Sequence, residues 1–325
     1  MSKLANLRRD GYVIIPNLLS PSELAPLRDA AARLTAVARS GGWPHVRTVG
    51  KQFPPWDGSR VAQGQWPGIW GVQHLLHPDL PVSEADRDLF VRAYFSRGIL
   101  AVARELLLEV GDHADEKSDG VEERGKDTGR EDDDGLVMEL WNMLVRPDRE
   151  DFALRWHRDD IPPEVTPEEE VARLVGGRRK RLTHTQWNLP LFDDDSLIVV
   201  PGSHARARTE VERAADPYAE SLPGMIRVEL RAGDVVFYDN NILHRGVYET
   251  SKERMTLHGS VGHVSGSRER ARNVLQHGVG EWVDKCDFSG LGDGEERERA
   301  ERMRRRLVEM GRENQGRDIG YSLQG

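Results

Sequence analysis

Residues 183–201 read THTQWNLPLFDDDSLIVVP. They contain two short runs rich in β-branched and aromatic residues, 183–192 and 196–201, bounded by turn residues, a pattern that favours strands over helices. Runs of the same kind lie on either side: LVMELWNMLV at 136–145, FALRWH at 152–157, MIRVEL at 225–230, DVVFYD at 234–239 and MTLHGSVG at 255–262. Several short strands at such spacing predict an all-β sandwich or barrel. One helix interrupts them. Thr166-Pro167-Glu168-Glu169 is a capping box with proline at the first helical position, and Gly176-Gly177 closes that helix.

Further out, helices flank the strands. YVIIP at 12–16 is a short β-branched run, and Ser20-Pro21-Ser22-Glu23 then caps a helix of about five turns reaching to near Arg39. Residues 41–81 are rich in Gly, Pro and Trp without a sustained period and read as loops lying over a site. Ser83 caps a second helical region, 84–110, broken near Ser96-Arg97-Gly98. Beyond Gly262 the strands stop. Residues 293–296 form a third capping box, and Ala300, Met303, Leu307 and Met310 make an apolar stripe at helical spacing. The expected organisation is one domain, mainly β with flanking helices. It comprises an N-terminal helical and loop region (1–110), an acidic insertion (111–135), a β core (136–262) and a C-terminal helical extension (263–325).

The chain has 325 residues, enough to bury a sizeable core, and a formal net charge of −9, which argues against a nucleic-acid partner. Segment 111–135 carries eleven Asp or Glu against four Lys or Arg, so most of that charge is local. With almost no large apolar side chain it is expected to be disordered. One cysteine, Cys286, leaves no internal disulfide and fits a reducing compartment. No run has the length or apolarity of a membrane span or a signal peptide, so the expected setting is soluble and cytoplasmic, with no membrane partner. Oligomeric state is not legible.

The chemistry concentrates in Arg155-Trp156-His157-Arg158-Asp159-Asp160. On an extended chain residues i and i+2 share a side, so His157 and Asp159 can converge on one ion, while Asp160 points elsewhere. A second histidine from another strand would complete the 2-His-1-carboxylate triad of non-heme iron(II) oxygenases. Alone, the pair is equally a surface His–Asp contact. His244 lies in Asn240-Asn241-Ile242-Leu243-His244-Arg245-Gly246, where a strand ends and a turn begins, with a glycine permitting close approach. Ten residues on, Arg254 and Thr256 share one face of Arg254-Met255-Thr256-Leu257-His258. A guanidinium fork suits a buried carboxylate, and a structural ion pair is the other reading.

These segments, with GYVIIPNLLSPSEL, WHRDD, NLPLFDDDSLIVVPGSH, GDVVFYDNNILHRG and SKERMTL in family order across residues 8–262, resemble the phytanoyl-CoA dioxygenase-like family of iron(II)/2-oxoglutarate oxygenases. The resemblance implies a double-stranded β-helix (a cupin-type jelly-roll), with iron(II), 2-oxoglutarate and O2 as cofactor and co-substrates. It also implies His157, Asp159 and His244 as metal ligands and Arg254, aided by Thr256, as anchor of the 2-oxoglutarate carboxylate. The implied reaction is oxidation, foremost hydroxylation, of a small-molecule metabolite. Halogenation is disfavoured because the Asp159 carboxylate fills the position a halide needs. Two departures from the family pattern, the acidic insertion and a lengthened gap from Asp159 to Gln186, can reshape the substrate mouth. The rival classes are a cupin metalloenzyme independent of 2-oxoglutarate and an inactive jelly-roll binding module.

Other residues have weaker arguments. Asn142 and Gln186 lie on strands expected to line the barrel, where an amide can meet the C1 or keto end of 2-oxoglutarate. Lys51, Arg47, Gln73 and His74 lie in the irregular loops, where specificity residues concentrate, although a solvated loop suits each as well. His258 shares the Arg254 face and is either a substrate contact or a satisfied core histidine. His204, His184, His263 and His277 read as structural. The basic run 178–181 is either a phosphate or CoA site or a surface patch.

Overall fold

A computed structural model describes residues 2–51, 54, 68–108, 134–175 and 182–313. The acidic insertion up to residue 133, the basic run 178–181 and the Gly176-Gly177 helix stop lie outside these residues. In chain order the strands are β1 (Tyr12–Ile15), β2 (Val46–Thr48), β3 (Ile69–Val72), β4 (Leu136–Val145), β5 (Phe152–Ala153), β6 (His184–Pro190), β7 (Leu197–Val200), β8 (Ile226–Arg227), β9 (Val235–Tyr238), β10 (Leu243–Tyr248) and β11 (Met255–His263). Among the described residues the helices longer than one turn are α1 (Lys3–Asp10), α2 (Pro21–Arg39), α3 (Glu84–Tyr94), α4 (Arg97–Leu107), α5 (Pro167–Val175), α6 (Glu210–Ala214), α7 (Arg268–Gln276) and α8 (Glu295–Arg312).

The strands form two antiparallel sheets. The larger has the order β1-β9-β6-β11-β4-β3-β2 and the smaller the order β5-β10-β7-β8. This is the jelly-roll core that the resemblance implies, mainly β with helices at its flanks. Strand parity explains why β4 reads as a nearly continuous apolar run. Leu140 and Leu144 face a cavity between the sheets, while Trp141, Met143 and Val145 enter the core under the helices. Helix α3 is fixed to this outer face by Trp141, whose Nε1 donates to the Phe90 carbonyl (3.1 Å), and by Tyr94. The Tyr94 hydroxyl donates to the Ser260 carbonyl (2.7 Å) and accepts from the Glu139 amide (2.9 Å). Gly259 sits in register between Trp141 and Trp187, and a Cβ there would meet Trp187 at 2.4 Å and Trp141 at 2.7 Å. Only glycine lets the two indoles close over β11.

Local signals account for most helix ends. The Ser20–Glu23 box forms, with the Ser20 amide donating to Glu23 Oε2 at 2.8 Å, and α2 runs to Arg39 as expected. Ser96 caps α4 at the expected break. Two expectations need correction. The box at 293–296 does not form: α8 starts after Gly294 without a side-chain cap, and Asp293 pairs with Arg297 instead (2.8 Å). Glutamates at 295, 296 and 298 still complement the positive end of that helix, and its stripe Ala300, Met303, Leu307 and Met310 is buried. Segment 41–81 is not all loop, because β2 and β3 extend the larger sheet; their partners fix them where propensity is weak. The extension from residue 263 is helical as expected, but its first helix, α7, carries no cap or apolar stripe that the sequence reading singled out. Its N-cap Ser267 is followed by only two buried apolar residues, Ala271 and Val274. Among the described residues no helix is long and apolar enough to cross a membrane.

Candidate active site

The cavity between the sheets measures about 150 Å³ and contains His157, Asp159 and His244 in its wall. The chain segment after β5 is tied to β10 by a two-bond bridge, His157 to His244 and back, each N–H···O 3.0 Å. The two imidazoles therefore lie side by side, with ring centroids 4.3 Å apart. His244 is the second residue of β10, so a strand begins there rather than ends. Asp159, two residues beyond His157, is steered to the same side by its amide bond to the Asn240 carbonyl (3.0 Å). Its Oδ1 stands 3.5 Å from His157 Nε2 and 3.7 Å from His244 Nε2. All three ligand atoms lie within 4.8 Å of one another.

The donor set suits a divalent ion. Each imidazole donates through Nδ1 to a carbonyl two residues earlier, His157 to Arg155 and His244 to Ile242, both at 2.8 Å. That fixes the tautomer and turns each Nε2 lone pair inward. Burial, then the neighbouring His157, pull the His244 pKa down to about 4, so it is neutral at pH 7. Burial opposes charge on Asp159, but the His157 and His244 contacts and the Gln186 amide (Nε2 to Oδ2, 3.0 Å) hold its carboxyl below the usual range. Two imidazole Nε2 atoms and one carboxylate are the donor set of an iron(II) facial triad.

Arg254 lines the same cavity and is 5% exposed. Its Nε donates to Asp194 Oδ2 (3.0 Å), and its guanidinium carbon sits 4.5 Å from the Tyr248 ring centroid. Gly246 makes room for that ring, since a Cβ there would meet the Tyr248 hydroxyl at 2.4 Å. Burial works against the Arg254 charge, yet Asp194 raises its pKa. Arg254 Nη1 is buried with no hydrogen-bond partner among the described residues. Among the arginines with such a donor, Arg254 is the one in the cavity wall, where an anionic acceptor can reach it.

The other expected site residues divide. Gln186 and His258 line the cavity. His258 Nδ1 bonds Asn188 Oδ1 (2.8 Å), and burial pulls its pKa down to about 3, so it too is neutral. Thr256 needs correction, because its hydroxyl donates to Asp194 (2.6 Å) and it is absent from the cavity wall. Its proton is spent on the acid that holds Arg254. Asn142 shares the face of Leu140 and Leu144 but is not itself in the cavity lining, and its Oδ1 accepts from the His74 amide (3.0 Å). Gln73 and His74 are buried outside the cavity as well. Gln73 Oε1 accepts from Arg47 Nε (3.1 Å), and both His74 nitrogens are engaged, Nδ1 by Trp282 (3.2 Å) and Nε2 by the His277 carbonyl (2.9 Å). Lys51 is exposed in a turn closed on Thr48, away from the cavity. Sequence reasoning missed Arg270 and Asn273 of α7 and read His277, its C-cap, as structural; all three line the cavity. Their spacing of three and four residues is that of one helical face, a signal present but unsupported by a visible helix.

A second missed feature lies behind the ligands. Arg158, between two of them, is 2% exposed and turned away from the cavity. Its Nε donates to Glu170 Oε1 of α5 (2.7 Å), Nη2 to the Arg206 carbonyl (3.1 Å), and Nη1 to the carbonyls of Ser203 (3.0 Å) and Asn241. Glu170 also pairs with Arg208 (2.7 Å) and Arg213. The interrupting helix thus braces the two segments that carry the ligands.

The phytanoyl-CoA dioxygenase (PhyH) family model matches residues 7–256. No curated protein matches by sequence. Among solved structures the chain is similar to EctD from S. alaskensis, crystallised with 2-oxoglutarate and 5-hydroxyectoine (18% identity, TM-score 0.51, 81% of this chain and 76% of that one). It is also similar to EvdMO1 (17%, 0.50, 80% and 49%) and to AviO1 from Streptomyces viridochromogenes Tue57 (20%, 0.49, 80% and 93%). At such identity the likeness to EctD and EvdMO1 concerns the fold. The family match covers most of the chain: the chain belongs to the phytanoyl-CoA dioxygenase family of iron(II)- and 2-oxoglutarate-dependent oxygenases.

Proposed function

We propose that His157, Asp159 and His244 hold the iron(II) of this oxygenase and that Arg254 holds the distal carboxylate of 2-oxoglutarate. One observation carries the reading: three ligand atoms within 4.8 Å, with both Nδ1 atoms already committed to carbonyls. Bound iron(II) and 2-oxoglutarate would supply the electrons that activate O2, the oxidant, for oxidation of an unactivated C–H bond of a small-molecule substrate. The chain's own residues bind and orient. Asp194 and Thr256 hold Arg254 so that its unpartnered Nη1 points to the co-substrate, and Gln186 fixes the outer oxygen of Asp159. Neutral His258 and His244 offer no proton to the site at pH 7. Leu140, Leu144, Trp70 and Tyr248 exclude water around the reacting carbon. Hydroxylation is the favoured outcome, because the triad carboxylate leaves no place for a halide. The acidic net charge speaks against a nucleic-acid partner, and a single half-buried cysteine suits a reducing cytoplasm. The test is iron content and 2-oxoglutarate turnover of His157→Ala and His244→Ala. Loss of both supports the assignment, and wild-type values in both variants overturn it.

A further inference from the structure

Three guanidinium groups line the cavity, and they are not equivalent. Arg254 has Asp194 as its acid. Arg270, on α7, has Glu139, which takes its Nε (3.2 Å) and Nη2 (2.8 Å). Arg47, on β2, has no acid among the described residues. Its Nε donates to the neutral Gln73 amide, and its guanidinium carbon lies 5.3 Å from the Trp70 ring centroid. Its terminal nitrogens make no hydrogen bond to the described residues, and the same holds for Arg270 Nη1 and the Asn273 side-chain amide, both in the cavity wall. All of these groups belong to the wall of one cavity. His277 lies in the same wall and feels the charges of Arg270 and Arg47 in addition to its own burial, and its pKa falls to about 4. His277 is therefore neutral at pH 7 and adds no charge to this wall. Arg47 and Arg270 also both act on Asp159, so the cluster stands within electrostatic reach of the metal ligands.

We propose that Arg47, Arg270 and Asn273 form a subsite for an anionic oxygen group, a carboxylate or phosphate, on the substrate. This deepens the oxygenase reading and rests on it. A partly buried cation without an acid among the described residues, beside half-used donors in the same wall, has the chemistry of an oxyanion cradle, and guanidinium forks match carboxylate and phosphate oxygens. The family match ends at residue 256, while Arg270 and Asn273 come from α7 beyond it. Recognition of the substrate's charge is thus built from this chain's own C-terminal extension together with β2.

The experiment loads the full chain anaerobically with iron(II) and 2-oxoglutarate, which occupies Arg254. Acetate, methyl phosphate and neutral acetamide are then titrated by calorimetry and by shifts of the anaerobic absorption band. One of the two anions should bind once per chain in the millimolar range, with acetamide not binding. The preferred anion tells a carboxylate substrate from a phosphorylated one. In Arg47→Gln and in Asn273→Leu, which leaves the Glu139 pair intact, its affinity should fall about tenfold or more, with the 2-oxoglutarate titration within about twofold of wild type. Equal anion affinity in wild type and variants, or no anion binding to the wild type, overturns the proposal. So does a raised 2-oxoglutarate requirement in Arg47→Gln with unchanged anion binding, which would make Arg47 a co-substrate ligand. Failure of wild type to bind 2-oxoglutarate is a separate result that overturns the underlying oxygenase reading.

Discussion

Arginines stand behind and in front of the His157–Asp159–His244 cluster, and the chain treats the two sets differently. Behind, Arg158 has its Nε on Glu170 and its Nη1 and Nη2 on the Ser203, Asn241 and Arg206 carbonyls. In front, Arg254 keeps Nη1 buried without a partner, and Arg47 has no acid among the described residues. A guanidinium saturated by its own chain is scaffolding, whereas one held by part of its fork is poised for a ligand. The two regions should therefore respond to mutation in opposite ways, stability at the back and binding at the front.

The largest expected effect is at the back. Glu170→Ala leaves Arg158, Arg208 and Arg213 around an emptied site, and breaking a buried pair by removing one partner costs about 3–5 kcal/mol. Thermal unfolding should shift down by about 6 °C or more. A melting temperature equal to wild type would show that the brace bears no weight. Next is Arg254→Ala, which should raise the 2-oxoglutarate requirement about ten- to a hundredfold, as charge-assisted bonds of ~1.5–3 kcal/mol are lost. Arg254→Lys should recover only part, because an ammonium lacks the fork. An unchanged titration in Arg254→Ala would move the anchor elsewhere in the front set.

How far the sequence foretold this contrast differs by region. The strands and the gathering of His157, Asp159 and His244 into one cluster, with Arg254 in the same cavity, are readable because each sits in a local pattern: period two, an i and i+2 pair, or a fork beside a hydroxyl. Thr256 was placed on the right face but given the wrong partner, since Asp194 lies 62 residues away in sequence and nothing local announces it. Glu170 looked like an ordinary first-turn acid of a capped helix, and only the packing of α5 against residues 203–208 reveals three arginines around it. His74 looked like a loop residue free to meet substrate. Its nitrogens are taken by Trp282 and His277 from the C-terminal extension, long-range partners again.

Smaller effects follow from the buried histidines. Burial chiefly pulls the His74 pKa down to about 3, and that of His277 to about 4, against an ordinary 6.5. The folded state binds fewer protons than the unfolded one between these limits, so stability falls as pH drops below about 6.5, by ~1.4 kcal/mol per pH unit for each such group. Denaturant midpoints between pH 7 and pH 5 should decline in wild type and decline less steeply in His74→Asn. Equal slopes would contradict the assignment of His74. The smallest expected change is the stability of Arg47→Gln. Without an acid partner to orphan, its unfolding free energy should move by about 1 kcal/mol or less, in either direction. A loss as large as that of Glu170→Ala would class Arg47 with the scaffold.

The most direct test combines both halves of the front. Protein freed of metal is titrated anaerobically with iron(II) and then with 2-oxoglutarate, following the metal-to-ligand absorption of the complex. Wild type should bind about one iron per chain and develop the band, and His157→Ala should bind weakly and develop none, as the chelate loses one of three ligands. Arg254→Ala should keep the iron and need about ten- to a hundredfold more 2-oxoglutarate for the same band. Iron binding and a band of wild-type strength in His157→Ala would contradict the site.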